Sequence, residues 1–183
     1  NNELIKVSNY QKEMTGTIRI TALQDIAQTV IAKIISGFNT KYPNIQIQSI
    51  ITNELLDLTK DNIDLSFRAG KLTDSNLIQK KLMNVNFIFI SSKSYLEKNG
   101  YPIRLSELNK FKFLSFKNME QLWFKNKINV KPFLQTDSIP MLLSMVINSD
   151  GITILPDYFC NEYLESGKIV RIFPNLKSPP ETI

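Results

Sequence analysis

The sequence predicts an α/β protein of two lobes, each a mostly parallel sheet flanked by helices. Segments with the period-two alternation of strands take turns with segments whose apolar residues recur at helical spacing. Strand, helix and strand in this order favour right-handed crossovers and therefore parallel strands. The same rhythm begins again in the second half of the 183-residue chain, as expected for two lobes.

The first half contains the clearest strand and the longest helix. Residues 17–22 alternate as a strand does. Apolar side chains from Ala27 to Phe38 then recur at helical spacing. Asp25 is placed to cap this helix, and Pro43 is placed to end it. The elements predicted after it are a strand at 45–51, a short helix at 54–60 and a strand at 63–68.

The second half is predicted from a buried strand and a well-marked helix start. The run from Phe87 to Ile90 is continuously apolar, which suits a strand covered on both faces. Ser138, with Pro140 after it, indicates the start of a helix. The remaining predictions are extended segments at 77–82 and 86–91, helices at 94–98, 106–109, 138–146 and 158–164, and strands at 112–116, 122–124, 132–135, 151–155 and 168–173. No linker rich in Pro or Gly separates the lobes, so residues 85–91 are predicted to cross between them.

The composition excludes several common kinds of catalytic and metal site. Histidine is absent and cysteine occurs once, as Cys160. Histidine-based triads, clustered-cysteine metal sites and an internal disulfide are therefore excluded. Chemistry based on carboxylate, Lys or Tyr stays open. We expect Cys160 to be an inert buried thiol on the apolar side of its helix, and we predict no metal and no cofactor.

The charge pattern argues against a DNA-binding face. The net charge is +5, but only Arg19, Arg68, Arg104 and Arg171 are arginines. The lysines are scattered among Asp and Glu, which is typical of a solvated surface. No apolar run approaches the roughly 20 residues that span a bilayer, and the N-terminus shows no signal peptide.

The most informative stretch runs from Asp64 to Leu77. Its strand ends at Arg68 and breaks at Gly70, and a polar turn with Asp74 and Ser75 follows. Such a strand places a guanidinium at the end of a sheet. In open α/β sheets, ligands bind beyond the carboxyl ends of the strands.

Several segments, in the same order and spacing, resemble the effector-binding domain of LysR-type transcriptional regulators. The likeness extends from Gly16 to about Pro174, and residues 64–77 are its most distinctive part. The other matching segments are 16–22, 38–43, 57–58, 91–96 with Gly100 and Pro102, 106–108 with Trp123, and 151–156 with Gly167. At Asn148–Gly151 the sequence departs from the family, which usually has small residues and a second glycine there. We therefore assign no ligand contact to Ser149 or Asp150.

The resemblance implies the two-lobed fold of periplasmic solute-binding proteins, with an effector held between the lobes. It places lobe I at residues 16–86 and lobe II at 87–178. Residues 1–15 look like the remnant of a linker helix that follows a winged helix-turn-helix, which this sequence lacks. Residues 179–183 look like the start of a crossover back to lobe I. Family members continue with a strand and a closing helix, so we expect lobe I to expose an apolar face here and to be less stable.

Residues at strand ends and helix starts are the candidates for binding the effector. They are Ala22, Leu23, Gln24, Thr52, Asn53 and Arg68 in lobe I, and Phe116, Asn118, Thr136, Asp137 and Ser138 in lobe II.

Each of these candidates also has a structural alternative. Asp25 either only caps its helix or also forms part of the cleft wall, and Thr52-Asn53 either orient a ligand or form an Asx turn. Arg68 either pairs with a ligand carboxylate or forms an internal ion pair with Asp64 or Asp74. Trp123 and the phenylalanines are expected in the core rather than as a platform for a ligand.

The function favoured by this resemblance is sensing rather than catalysis. A small molecule would stabilise one lobe arrangement and so control DNA binding by the absent N-terminal domain. The expected assembly is a cytoplasmic homodimer or homotetramer to which the helix at 26–41 contributes, with no membrane partner. One alternative is an extracytoplasmic solute-binding receptor of a transporter. An enzyme relying on Asp, Lys or Tyr has little support.

Overall fold

The structure is a computed structural model that describes residues 14–70, 77–117, 130–176, 178 and 181–183. The chain divides into two compact units, Asn1–Ala69 and Gly70–Ile183. This division comes before the lobe boundary that we predict between residues 86 and 87, which stays a prediction. The linker-helix remnant, apart from its last two residues, and the strand predicted at 122–124 lie outside the described residues.

A parallel three-stranded sheet forms the first unit. Its strands are β1 (Gly16–Ala22), β2 (Ile45–Ile51) and β3 (Leu65–Phe67), in the order β2–β1–β3. The register places Ala22 of β1 beside Ile51 and Phe67, so the three strands end close together. Because β1 is central, its carboxyl half is buried.

One continuous helical segment connects β1 to β2. It consists of α1 (Gln24–Ile26), a π-helical turn (Ala27–Ile31) and α2 (Ala32–Lys41). The prediction that Asp25 is the N-cap is wrong, because the N-cap is Leu23, whose side chain makes no capping hydrogen bond. Asp25 lies inside the first turn, where it is buried and where a negative charge is favourable beside the helix dipole.

The segment between β2 and β3 differs from the prediction. Residues 54–60, predicted as a short helix, form irregular structure and turns. The carboxylate of Asp57 accepts hydrogen bonds from the N–H groups of Thr59 and Lys60, both at 3.1 Å. These bonds stabilise the turn that follows Asp57 at residues 58–62.

Several large apolar side chains of the first unit are exposed. They are Ile34, Ile50, Ile51, Leu55 and Leu65. Ile51 and Leu65 lie on β2 and β3, the outer strands of the described sheet. The apolar face that we predict for the first lobe, and its lower stability, stay predictions.

The second unit contains a five-stranded sheet. Its order is β7 (Leu134–Thr136), β6 (Phe113–Phe116), β8 (Ile152–Pro156), β5 (Phe87–Ser91) and β9 (Val170–Ile172). β6 is parallel to β7 and β8, whereas β5 is antiparallel to β8 and β9. The described strands of this sheet therefore run in one direction except β5, which confirms a mostly parallel sheet.

The helices of this unit begin close to the predicted positions. They are α3 (Lys93–Asn99), a 3-10 helix (Leu105–Lys110), α4 (Ile139–Ile147) and α5 (Asp157–Glu165). Ser92 caps α3 by accepting a hydrogen bond from the N–H of Tyr95, and Ser138 caps α4 in the same way from Met141. None of the described helices is long and apolar enough to cross a membrane.

The core of the second unit lies between this sheet and helices α4 and α5. Its buried side chains are Ile88, Ile90, Leu114, Leu142, Leu143, Val146, Leu155, Phe159, Cys160 and Ile169. Every residue of β5 is buried, as its continuous apolar run predicts. At the start of β8, Gly151 packs so closely that an added Cβ would collide with the carbonyl oxygen of Lys112.

A short ribbon stands apart from the five-stranded sheet. β4 (Asn84–Val85) pairs antiparallel with β10 (Glu181–Thr182). Ile183 extends this pairing, since it exchanges main-chain hydrogen bonds with Met83 in both directions at 3.1 Å. The extended segment predicted at 77–82 forms no strand.

Candidate functional site

The carboxyl ends of the three parallel strands gather four of the candidate residues of the first unit. The N–H of Thr52, just after β2, donates to the carbonyl of Ala22 at 3.1 Å. The N–H of Leu23, just after β1, donates to the carbonyl of Phe67 at 3.4 Å. Arg68 follows β3 directly, so Ala22, Leu23, Thr52 and Arg68 lie at one edge of the sheet.

Arg68 is held at this edge by two hydrogen bonds. Its Nη1 donates to the carbonyl oxygen of Thr52 at 2.6 Å, and its Nη2 donates to the hydroxyl of Thr21 at 2.9 Å. The side chain is half-buried, and the resulting loss of water lowers the pKa of the guanidinium from its ordinary value. It stays charged, because an arginine side chain does not lose its proton in proteins.

The charge of Arg68 has no carboxylate partner within the part of the chain that the structure describes. Asp64, one of its two predicted partners, instead accepts a hydrogen bond from the main-chain N–H of Arg19 at 2.8 Å. The other predicted partner, Asp74, lies outside the described residues. The internal ion pair with Asp64 is therefore not formed.

Thr52, Asn53 and Gln24 are the remaining polar candidates of the first unit. The hydroxyl of Thr52 accepts a hydrogen bond from the N–H of Glu54 at 3.1 Å, which makes a local turn. Asn53 and Gln24 are both exposed, and Gln24 is the first residue of α1. Thr52 therefore has a structural role whether or not it also contacts a ligand.

Thr21 is a residue that sequence reasoning missed. It is fully buried, donates its hydroxyl to the carbonyl of Ile50 at 2.9 Å and accepts from Arg68. Polar residues are common in alternating strands, so nothing in the sequence marked Thr21 as a partner of Arg68. Its neighbour Ala22, in contrast, could be identified from its position at the strand end.

In the second unit, β6 and β7 end side by side and gather a second set of candidates. Phe116 is paired with Thr136, and the N–H of Lys117 donates to the carbonyl of Thr136 at 2.7 Å. The hydroxyl of Thr136 accepts from the N–H of Ser138 at 3.2 Å. Asp137 lies between them and is exposed. Asn118, the fifth candidate of this unit, lies outside the described residues.

Two other features bear on chemistry. No group of three or more His, Cys, Asp or Glu side chains that could hold a metal ion occurs among the described residues. The thiol of Cys160 is buried, and burial, followed by the nearby charge of Asp157, raises its pKa to about 12. A thiol of this kind is largely protonated at neutral pH and therefore unreactive.

Mostly parallel sheets with polar residues collected at their carboxyl edges are typical of an α/β ligand-binding domain, in agreement with the predicted periplasmic-binding-protein fold. A family model described as the LysR substrate binding domain matches residues 11–183. The chain therefore belongs to the LysR substrate binding domain family.

Curated relatives of this chain are transcriptional regulators. It is 27% identical over 185 residues to an HTH-type transcriptional regulator of Xanthomonas campestris pv. campestris (strain 8004). The match covers 94% of this chain and 54% of that protein. It is 26% identical over 164 residues to the HTH-type transcriptional regulator CrgA of Neisseria meningitidis serogroup C (strain 8013). That match covers 86% of this chain and 55% of CrgA. The chain thus spans little more than half the length of these relatives.

Solved structures of the same kind share the fold. The full-length structure of the Vibrio cholerae virulence activator AphB, a LysR-type regulator, matches with a TM-score of 0.81 and 26% identity, covering 99% of this chain and 66% of that one. The structure of CrgA from Neisseria meningitidis matches with a TM-score of 0.84, covering 99% of this chain and 65% of that one. At 23% identity, the CrgA likeness concerns the fold alone.

Proposed function

We propose that this chain is the effector-sensing regulatory domain of a LysR-type transcriptional regulator, and that its effector carries a carboxylate or a similar anionic group. The observation that carries this proposal is Arg68. Its guanidinium is fixed at the carboxyl edge of a parallel sheet by Thr52 and Thr21, and it has no carboxylate partner among the described residues. Ligands of open α/β sheets bind at that edge.

The chemistry of Arg68 favours an anion. A guanidinium has five N–H donors in a planar fork that matches a carboxylate or phosphate, and the hydrogen bonds to Thr52 and Thr21 use two of them. Among the described residues the partly buried charge of Arg68 has no carboxylate partner, so an anionic ligand gains more here than it would at an exposed arginine. Ala22, Leu23, Gln24, Thr52 and Asn53 would surround the same end of the ligand.

The second-unit cluster offers further groups that could contact an effector. Thr136 and Ser138 carry hydroxyl groups, and Ser138 stands at the start of α4 where main-chain N–H groups and the helix dipole favour acceptor atoms. Phe116 offers an apolar surface beside them. Asn118 and Asp137 complete the proposed contacts of this unit.

The domain would act by shifting a conformational equilibrium. An effector that binds one arrangement more tightly by about 1–3 kcal/mol produces a useful response at the attached DNA-binding domain. We infer that such a regulator works in the cytoplasm as a homodimer or homotetramer, contacts DNA only through its N-terminal domain and catalyses no reaction. The curated relatives are regulators, which favours this function over a transporter receptor.

A thermal-shift screen of mono- and dicarboxylates, with neutral analogues beside them, tests the ligand class. We expect acids to raise the melting temperature and their amides or alcohols to have no effect. The hit is then titrated against Arg68→Lys, which keeps the charge but loses the fork, and binding is expected to weaken by roughly tenfold or more. Arg171→Lys is the control, because Arg171 is exposed on β9. Equal binding by wild type and Arg68→Lys, or hits confined to neutral compounds, would contradict the proposal.

A gel-shift assay tests whether this chain binds DNA by itself. Residues 1–183 are expected to show no sequence-specific binding to DNA, because their lysines are scattered and their arginines few. A specific complex formed by this chain alone would contradict the view that DNA is contacted only through the N-terminal domain.

A further inference from the structure

Arg19 is the second arginine of the first unit, and it lies close to the proposed anion site. It stands at the middle of β1, two residues before Thr21. Side chains two positions apart in a strand point to the same face of the sheet and are separated by roughly 7 Å along the strand. Because Arg68 donates to the hydroxyl of Thr21, its guanidinium meets β1 on the face to which Arg19 points.

The side chain of Arg19 has no partner within the part of the chain that the structure describes. Arg19 is half-buried, and its Nε is buried without a hydrogen bond. Neither Arg19 nor Arg68 takes part in a salt bridge with another described residue. Buried donors of folded proteins are nearly always hydrogen-bonded, so the Nε of Arg19 indicates a position for an acceptor.

Asp64 lies beside Arg19 but binds its main chain rather than its side chain. Oδ2 of Asp64 accepts a hydrogen bond from the main-chain N–H of Arg19 at 2.8 Å. The N–H of Asp64 donates in turn to the carbonyl of Arg19 at 2.8 Å. The carboxylate is therefore engaged with the backbone of β1. Even when its charge is counted, the charges of Arg19 and Arg68 leave this face positive.

The side chains beside the two arginines are polar. In the register of the sheet, Gln48 of β2 is paired with Arg19, and Ser66 of β3 is paired with Thr21. Paired residues of neighbouring strands point to the same face. Gln48 and Ser66 are both exposed, so an anion has access to this face from solvent and finds amide and hydroxyl donors there.

We propose that Arg19 and Arg68 form a two-arginine site, and that the effector is a short-chain dicarboxylate with one carboxylate bound by each guanidinium. This inference rests on the proposed function and narrows its ligand from an acid to a dianion. Two like charges close together without a counter-charge repel each other, and a dianion removes that repulsion while it supplies an acceptor to both side chains.

Calorimetric titration with succinate, glutarate and adipate, each beside its monoamide, tests the site. The monoamide keeps one carboxylate and nearly the same shape. We expect at least one diacid to bind roughly tenfold tighter than its monoamide, because its second carboxylate forms charge-assisted hydrogen bonds. In Arg19→Gln, the affinity for that diacid is expected to fall to the level of the monoamide, whose own affinity stays within roughly twofold of the wild-type value.

Two further variants separate this inference from the proposed function. Arg104→Gln, at an exposed position of the second unit, is the matched control and is expected to bind as wild type does. Arg68→Lys is expected to weaken binding of diacid and monoamide alike. Because the Nε of Arg19 is unpaired, the melting temperature of ligand-free Arg19→Gln is expected to be no lower than that of wild type. Should the glutamine variant unfold, Arg19→Lys replaces it, with diacid binding expected to weaken by roughly tenfold.

The outcomes are distinguishable. Equal binding of diacid and monoamide, or equal weakening of both in Arg19→Gln, would overturn the two-arginine site. If Arg68→Lys still weakens binding in that case, the proposed function stands without it. If none of these compounds binds, the two-arginine site is overturned as well, and the broader screen of acids decides the proposed function.

Discussion

Arg68 and Thr21 are 47 residues apart in the sequence, yet the guanidinium of Arg68 donates to the buried hydroxyl of Thr21 at 2.9 Å. The same hydroxyl donates to the carbonyl of Ile50. Thr21 thus joins β1 to the end of β2 and to the residue after β3. The position of the guanidinium depends on a side chain that contacts no ligand in the proposed function.

Thr21→Val tests this dependence with almost no change of shape. Valine removes the hydroxyl and leaves Nη2 of Arg68 and the carbonyl of Ile50 with one partner fewer. We expect the free energy of unfolding to fall by about 1–3 kcal/mol, the cost of buried polar groups left unsatisfied. Thr17→Val in the same strand is the control, since Thr17 is exposed, and little change is expected there. Equal effects of the two substitutions in urea unfolding would contradict the role given to Thr21.

Two glycines are expected to respond to alanine in opposite directions. Gly151→Ala forces a Cβ against the carbonyl of Lys112, and overpacking of this kind destabilises by about 1–3 kcal/mol. Gly37→Ala, in the open surface of α2, is expected to stabilise by about 0.5–1 kcal/mol because alanine favours helix. The melting temperatures of the two variants test this expectation. A decrease for Gly37→Ala as large as that for Gly151→Ala would contradict it.

Ser149 occupies the position after α4 at which glycine is usual. Its φ is 65°, its N–H donates to the carbonyl of Val146, and the N–H of Asp150 donates to that of Met145, which is the Schellman pattern. Its hydroxyl also forms a hydrogen bond of 2.9 Å with that of Ser92. Ser149→Gly and Ser149→Ala both lose this bond, but only glycine relieves the backbone strain.

We therefore expect the glycine variant at position 149 to be more stable than the alanine variant by about 1 kcal/mol, measured by urea unfolding. The comparison between the two variants cancels the lost hydroxyl contact. Equal stability would mean that the left-handed conformation of Ser149 carries no cost.

Cys160 predicts a change of stability at high pH. Its pKa is raised from 9.0 to about 12 in the folded chain, so the folded state holds the proton where the unfolded state releases it. Its contribution to stability is full below pH 9 and is lost as the pH rises towards 12. Unfolding of wild type and Cys160→Ala as a function of pH isolates this contribution as the steeper alkaline decline of the wild type. Parallel declines would contradict it.

Reactivity of the same thiol offers a second measurement. Iodoacetamide is expected to leave Cys160 unmodified in the folded chain at pH 7 and to label it in urea, because only the thiolate reacts. Rapid labelling of the native protein would show that the thiol is reached by solvent.

Much of the fold was predictable because hydrophobic pattern and turn residues agree. The continuous apolar run of β5 and the Ser138 start of α4 are both where the sequence places them. The helix expected at 54–60 is absent, and only a turn follows Asp57, whose carboxylate accepts hydrogen bonds from the N–H groups of Thr59 and Lys60. The sequence places the N-cap at Asp25, whereas the helix is capped two positions earlier, at Leu23. Composition and periodicity do not determine a helix boundary to within two residues.

The candidate site was predictable in its placement and less so in its contacts. Ala22, Thr52 and Arg68 meet because parallel strands end together, which the order of elements already implies. The partner of Arg68 was not predictable, since Asp64 is closer in sequence than Thr21 but binds the main chain of Arg19 instead. Contacts between distant strands depend on register, which the sequence leaves open.

The π-helical turn at Ala27–Ile31 resets the phase of the helix that follows it. Each residue of an α-helix turns the next side chain by about 100°, so one residue more or fewer in this turn would rotate every later position of α2 by that angle. Ile34, Ile35 and Phe38 would then point elsewhere while the strands on either side kept their register. Insertion or deletion at this turn is thus a route by which a related chain could acquire a new helix surface on an unaltered sheet.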